Sequence, residues 1–150
     1  MSDLDRLEFI ALVNEAGEVD PNTLPALVAR ALALVTLHDN KMLIGTAAVK
    51  IPYDEYRRDV FRSAKIADQA NAYPLELGWV HVRPDYRGEG HSYTLMAQAI
   101  KAVAGQSVYA TTKAAKMHTI LPRYGFAIRG MPYASMHEPD VDVTLFCRSG

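Results

Sequence analysis

Apolar residues recur at helical spacing early in the chain and at strand spacing in several later stretches. Leu4, Leu7, Ala11 and Asn14 share one helical face with Ile10 beside them, which predicts an amphipathic helix over residues 4–16, closed by Gly17. A second short helix is expected after Asn22-Thr23, with Leu24, Leu27 and Val28 on its apolar side. Residues 31–37 read as a buried strand, although their alanines and leucines leave a helix open. Asp39-Asn40 is a turn signal, and residues 42–49 return as a second strand, giving an antiparallel hairpin that Pro52 ends. Over residues 53–65, Tyr53, Tyr56, Val60, Phe61 and Ala64 fall near one helical face. Arg57, Arg58, Arg62 and Lys65 lie largely off it and read as a solvated face, the alternative being a helix that covers an acceptor site and selects an acidic partner.

The signals sharpen after the loop at Asn71-Ala72-Tyr73-Pro74. Residues 75–82 predict a strand stopped by Arg83-Pro84-Asp85, and a glycine-containing turn follows. Residues 92–104 predict a helix with Leu95, Met96, Ala99, Ile100 and Val103 in one stripe and Gly105 as its C-terminal stop. A strand at 108–112, a helix at 115–121 and a last strand at 141–148 complete the series, the last with Val143, Leu145 and Cys147 on one face. Strands alternating with helices around one sheet make an α/β (α+β) fold with a mixed sheet, and no linker or repeat divides residues 1–150 into more than one domain.

Composition narrows the function classes. The 150 residues are 49% hydrophobic and 22% charged, ordinary values for a globular chain, which excludes disorder and low complexity. A net charge of −1 supplies no global basic field toward nucleic acid or membranes. Cys147 is the one cysteine, so no intrachain disulfide forms. The N-terminus lacks a signal-peptide pattern, and no apolar run is long enough to cross a bilayer. A cytoplasmic protein is expected. The five histidines show no metal-ligand spacing with Asp, Glu or Cys, so no metal is expected.

The chemistry concentrates in Arg87-Gly88-Glu89-Gly90-His91-Ser92, where a strand end opens onto a helix. Gly88 and Gly90 reach φ values closed to other residues and let backbone N–H groups approach a ligand. Those groups, at the positive end of a helix, suit a pyrophosphate, and Arg87 adds a charge-assisted contact. Ser92 caps the helix or offers its hydroxyl to a phosphate. A Walker loop would need a Lys-Ser/Thr pair where His91-Ser92 stand. A dinucleotide fingerprint would need a third small residue where Tyr93 stands and an acidic residue near Val108. Both fail.

Val82-Arg83-Pro84-Asp85-Tyr86-Arg87-Gly88-Glu89-Gly90-His91-Ser92 resembles the strand-to-helix signature of the GNAT superfamily of N-acetyltransferases, an Arg/Gln-x-x-Gly-x-Gly/Ala turn after a Val-x-Pro strand end. Tyr124-Gly125-Phe126 resembles the Gly-Phe that closes that family's next helix. The resemblance covers residues 31–148 and is strongest over 75–126. It implies a mostly antiparallel central sheet flanked by helices, whose central strands, here those ending at Val82 and Thr112, splay apart. It implies acetyl-CoA as co-substrate, its pantetheine paired with backbone at Val80, His81 and Val82 and its pyrophosphate on the turn from Arg87 to Ser92. It also implies direct transfer of the acetyl group to an amine acceptor, with no covalent enzyme intermediate.

Direct attack needs a base for the amine and an acid for the departing thiolate. Glu76 is the candidate base: a carboxylate in an apolar strand is costly unless paired or functional, and its distance from the turn resembles the glutamate used by part of the family. His81 is the alternative, on the other strand face by parity. Many family members carry a tyrosine four residues before the closing glycine, where this chain has Leu121, followed by helix-breaking Pro122. Tyr124 is the substitute acid, with His118 and Tyr133 behind it. Cys147 reads as core, as does Trp79 ahead of a place in the acceptor pocket. The competing function is a non-catalytic acyl-CoA-binding module of the same fold. The acceptor, the acyl chain and the oligomeric state stay open, a homodimer included.

Overall fold

The computed structural model describes residues 1–17 and 19–150. Its helices are α1 (Asp3–Glu15), α2 (Leu24–Arg30), α3 (Asp54–Ser63), α4 (His91–Val103) and α5 (Ala115–Ile120). Its strands are β1 (Ala33–Asp39), β2 (Met42–Lys50), β3 (Leu75–Val82), β4 (Val108–Thr112), β5 (Ala127–Ile128), β6 (Tyr133–Ala134) and β7 (Asp142–Arg148). The seven strands hydrogen-bond in the order β1-β2-β3-β4-β7-β5, with β6 on β7, a mostly antiparallel mixed sheet. Residues 31–37, ambiguous in sequence, are strand from Ala33 onward, settled by pairing with β2. The two-residue strands β5 and β6 escaped the sequence because two residues carry no period.

By contacts the chain forms two compact units, Met1–Ile51 with Leu77–Ala102 and Pro52–Glu76 with Val103–Gly150. In the first, α1 starts at a capping box: the Ser2 hydroxyl accepts from Asp5 N–H at 3.1 Å and the Asp5 carboxylate accepts from Ser2 N–H. Its buried face is not the one expected. Leu4 and Leu7 are 65% and 64% exposed, whereas Phe9, Leu12 and Val13 are buried. Phe9 and Val13 pack with Leu24 and Val28 of α2 and Ala48 of β2, so the larger Phe9 stripe won the core and left the leucines outside. Trp79 leans edge-on against Phe9 at 6.1 Å between ring centroids, with Lys50 Nζ 4.7 Å over its other side.

In the second unit, α3 lays Val60, Phe61 and Ala64 against Tyr73, Tyr109, Leu145 and Cys147. Phe61 is fully buried, stacked on Tyr73 at 5.7 Å and edge-on to Tyr109 at 5.2 Å. β4 and β7 pair over five residues, whereas the parallel ladder of β3 with β4 is confined to Leu75↔Val108 and Glu76↔Tyr109. Helix α5 ends at Ile120, and Pro122 lies in a 3-10 turn that places Leu121 fully in the core. Cys147 is buried as expected, and burial raises its thiol to about 11.

Phe61→Ala should destabilise the fold by roughly 3–5 kcal/mol, because it empties a ring-sized volume between two aromatic partners. A thermal melt should fall by about 10 °C or more. Leu4→Ser, on the exposed face of α1, should stay within about 0.5 kcal/mol of the parent.

Candidate active site

Two constellations carry chemistry, one in each unit. In the first, β3 ends at Val82 and the chain turns through a 3-10 segment, Pro84–Tyr86, onto α4. Side chains and backbone pin this turn. Arg83 N–H donates to the Ile44 carbonyl at 2.8 Å and its Nε to the Leu43 carbonyl at 2.7 Å, while Nη1 meets the Glu15 carboxylate at 3.0 Å. The Tyr86 hydroxyl donates to Asp39 Oδ2 at 2.7 Å, and Arg87 Nε donates to the Val82 carbonyl at 3.1 Å. Gly88 and Gly90 take φ of +83° and +80°, with open space where a Cβ would stand, so the glycines are there for the backbone angle and not for clearance.

The sequence-predicted turn residues are thus brought together in one loop at a helix start. Helix α4 begins at His91, which makes Ser92 its second residue, so the capping reading of Ser92 fails while its hydroxyl stays in the first turn. The first N–H groups of such a helix have no intrahelical partner and carry the positive end of its dipole. Glu89 is exposed, and its carboxylate lies 3.1 Å from His91 Nε2. Val80 and His81 are half-buried and Val82 is buried at the end of β3. Thr46 Oγ1 donates to the Trp79 carbonyl at 2.7 Å, and Trp79 itself takes φ of +52°. Strand alternation does not run through such a residue, so the face of Glu76 is set by its pairing with Tyr109 and not by counting along β3.

In the second unit Glu76 is 4% exposed. Three tyrosines gather on it. Tyr56 of α3 comes within hydrogen-bonding reach of Glu76 and Thr111, and the Glu76 charge, followed by burial, raises its phenol well above the usual value. Tyr56 is 47% exposed as a residue, so its ring flank is open while its hydroxyl reaches a buried carboxylate. Tyr109, opposite Glu76 in the ladder, is fully buried, and burial followed by the Glu76 charge raises it strongly. Tyr133 of β6 is pushed up to about 12 by burial and then by Glu76. All three therefore hold their protons at neutral pH.

Sequence reading missed Tyr56 and Tyr109 here, and it misplaced Arg57. That arginine is 13% exposed, not solvated. A signal existed: Arg57 stands four and seven residues before Phe61 and Ala64, on the same stripe. Tyr124 is half-buried, its carbonyl accepts from Arg148 Nε at 2.8 Å, and Gly125 follows with φ of +88°. His118 packs edge-on against Phe146 at 5.1 Å. Among the described residues no group of three His, Cys, Asp or Glu side chains is arranged to hold a metal, and no helix is long and apolar enough to cross a membrane.

A mixed sheet flanked by helices, with a glycine turn feeding a helix N-terminus, is the fold of the acetyltransferase class. The chain belongs to the acetyltransferase (GNAT) family, whose sequence model matches residues 3–121. No curated protein sequence matches it. Solved structures share the fold at low identity. An acyl-CoA N-acyltransferase from Pseudomonas aeruginosa is 17% identical at a TM-score of 0.67, covering 99% of this chain and 93% of its own. Naa50 of Arabidopsis thaliana, bound to the bisubstrate analogue CoA-Ac-MVNAL, is 13% identical at 0.71, covering 100% and 95%. FeeM, an N-acyl amino acid synthase from uncultured soil microbes, is 12% identical at 0.75, covering 99% and 87%.

Folding stability should be full below pH 10, the ordinary phenol value, and should fall as pH rises from there toward 12. The sign follows from the unfolded chain releasing the Tyr133 proton first while the folded state retains it. Tyr56 and Tyr109 act in the same direction. Guanidinium unfolding midpoints measured across this range check it, and Tyr133→Phe should flatten the slope; a midpoint that does not move would contradict the assignment.

Proposed function

We propose that the chain is an N-acetyltransferase that moves the acetyl group of acetyl-CoA directly to an amine acceptor through a ternary complex. The observation that carries this reading is the buried Glu76 carboxylate amid three protonated tyrosines. An apolar strand tolerates such a charge when a task or a partner requires it.

Each residue has a role in that reaction. The backbone of Gly88 to Ser92, with Arg87, holds the pyrophosphate, and the backbone of Val80, His81 and Val82 pairs with pantetheine. Glu76 takes a proton from the acceptor ammonium, and the neutral nitrogen attacks the thioester carbonyl. The tetrahedral intermediate collapses as the carbon–sulfur bond breaks; Tyr124 gives its proton to the leaving thiolate and regains one from the acetylated nitrogen, while Glu76 returns its proton to solvent. A thiol with a pKa near ~8.5 is a tolerable leaving group, so removal of this acid costs less than removal of the base.

Acetyl-CoA and CoA, but not ATP or NAD, should raise the melting temperature. At 100-fold above Kd the added stability is ~2.7 kcal/mol. Glu76→Gln should retain this shift while kcat for amine acetylation falls by ~10²–10⁴, and Tyr124→Phe should lose less. No shift with either ligand would reduce the turn to a structural element. A shift with no turnover over a broad amine panel would make the chain a non-catalytic acyl-CoA-binding module.

A further inference from the structure

Helix α3 carries Arg57, Arg58 and Arg62, with Lys65 just beyond its end. Arg58 and Lys65 are exposed, and Arg62 pairs with Asp59 in the open at 2.7 Å. Arg57 behaves differently. Its side chain is drawn in to 13% exposure, and its Nε is sealed from solvent without a hydrogen-bond partner. Its Nη2 lies 3.4 Å from Asp54, a carboxylate that is itself 75% exposed. So open and long a pair offsets little of the cost of burying a guanidinium.

The neighbourhood holds a second unanswered donor. The Arg57 charge acts on Tyr109, whose hydroxyl is also enclosed and without a partner. Tyr109 stands opposite Glu76, and Tyr56, the helix residue before Arg57, reaches that same carboxylate. One group of side chains therefore holds a buried carboxylate next to two buried donors, Arg57 Nε and the Tyr109 hydroxyl, that no described residue satisfies. Each such donor costs ~1–3 kcal/mol, more when charged, and native folds leave few of them unexplained.

We propose that the Arg57 guanidinium, whose side chain keeps 13% exposure, holds a carboxylate of the acceptor, and that the acceptor is therefore a small amine bearing its own carboxylate: an amino acid in the broad chemical sense. This rests on the reading of Glu76 as the group that meets the amine. The planar guanidinium fork matches a carboxylate, and a zwitterion answers both signs of charge at once. A plain alkylamine leaves Arg57 unsatisfied. A polyamine brings a second cation against Arg57.

The test pairs the common L-amino acids with their carboxamides as acceptors, reading CoA release from acetyl-CoA with the full chain, and calorimetric binding of the same compounds to the CoA-loaded protein. Peptides beginning with Asp or Asn form a further arm, which separates a free amino acid from an acidic residue at a peptide start. At least one acid should exceed its amide on the order of 100-fold in kcat/KM. Arg57→Gln should bring that ratio to near unity through KM, and Arg57→Lys should restore part of it. If Arg57→Gln does not fold, the acid-to-amide ratio of the parent protein and the Arg57→Lys values decide. Equal use of acids and amides, or a preference that survives Arg57→Gln, overturns the carboxylate anchor and leaves the transferase intact. Binding of acids without turnover supports the anchor and sinks the transferase. Neither binding nor turnover of any acid overturns the anchor.

Discussion

Glu76 is kept out of water on a strand whose ladder with β4 lasts for two residue pairs, and the second unit is organised around that carboxylate. Its charge suppresses ionisation of Tyr56, Tyr109 and Tyr133, so hydroxyl groups from α3, β4 and β6 stay available as donors. The aromatic packing of Phe61 against Tyr73 and Tyr109 fixes α3 on this face, and with it Tyr56 and Arg57. Apolar burial thereby holds these polar side chains in fixed positions.

The first unit solves a different problem, that of holding a loop still between a strand end and a helix start. Backbone N–H groups cannot be aimed by rotamers, so the chain is pinned on both sides of the turn. Arg83 is tied to Leu43, Ile44 and Glu15, Tyr86 to Asp39, and Arg87 to the end of β3. Two residues at positive φ then reverse the chain into α4. Backbone donors held in advance need little rearrangement to meet any ligand.

The cations of α3 divide between solvent and interior. Its outer residues pair in solvent, where such contacts contribute little. Arg57, one stripe further in, gives up hydration with no full return inside the protein. That imbalance is the observation on which the proposed acceptor chemistry rests. The fold alone is silent on acceptors: one neighbour is bound to a peptide-bearing CoA analogue and another is an N-acyl amino acid synthase.

The turn from Arg87 to Ser92, the hairpin, the stripe of α4 and the break at Pro122 were legible in the sequence because each is a local demand. A positive φ requires glycine, a helix interior rejects proline, and alternation marks a strand, all within a few residues. Glu76 was legible for a related reason, as a charge in an apolar strand. Tertiary structure decided which face of α1 is buried, where Leu4 and Phe9 competed for one core and the larger ring prevailed. It also decided that Tyr56, Tyr109 and Tyr133 meet Glu76, that Arg57 turns inward, and that β5 and β6 exist. Those meetings depend on register between segments far apart in the chain, and register is set when the sheet closes, not by any window of sequence.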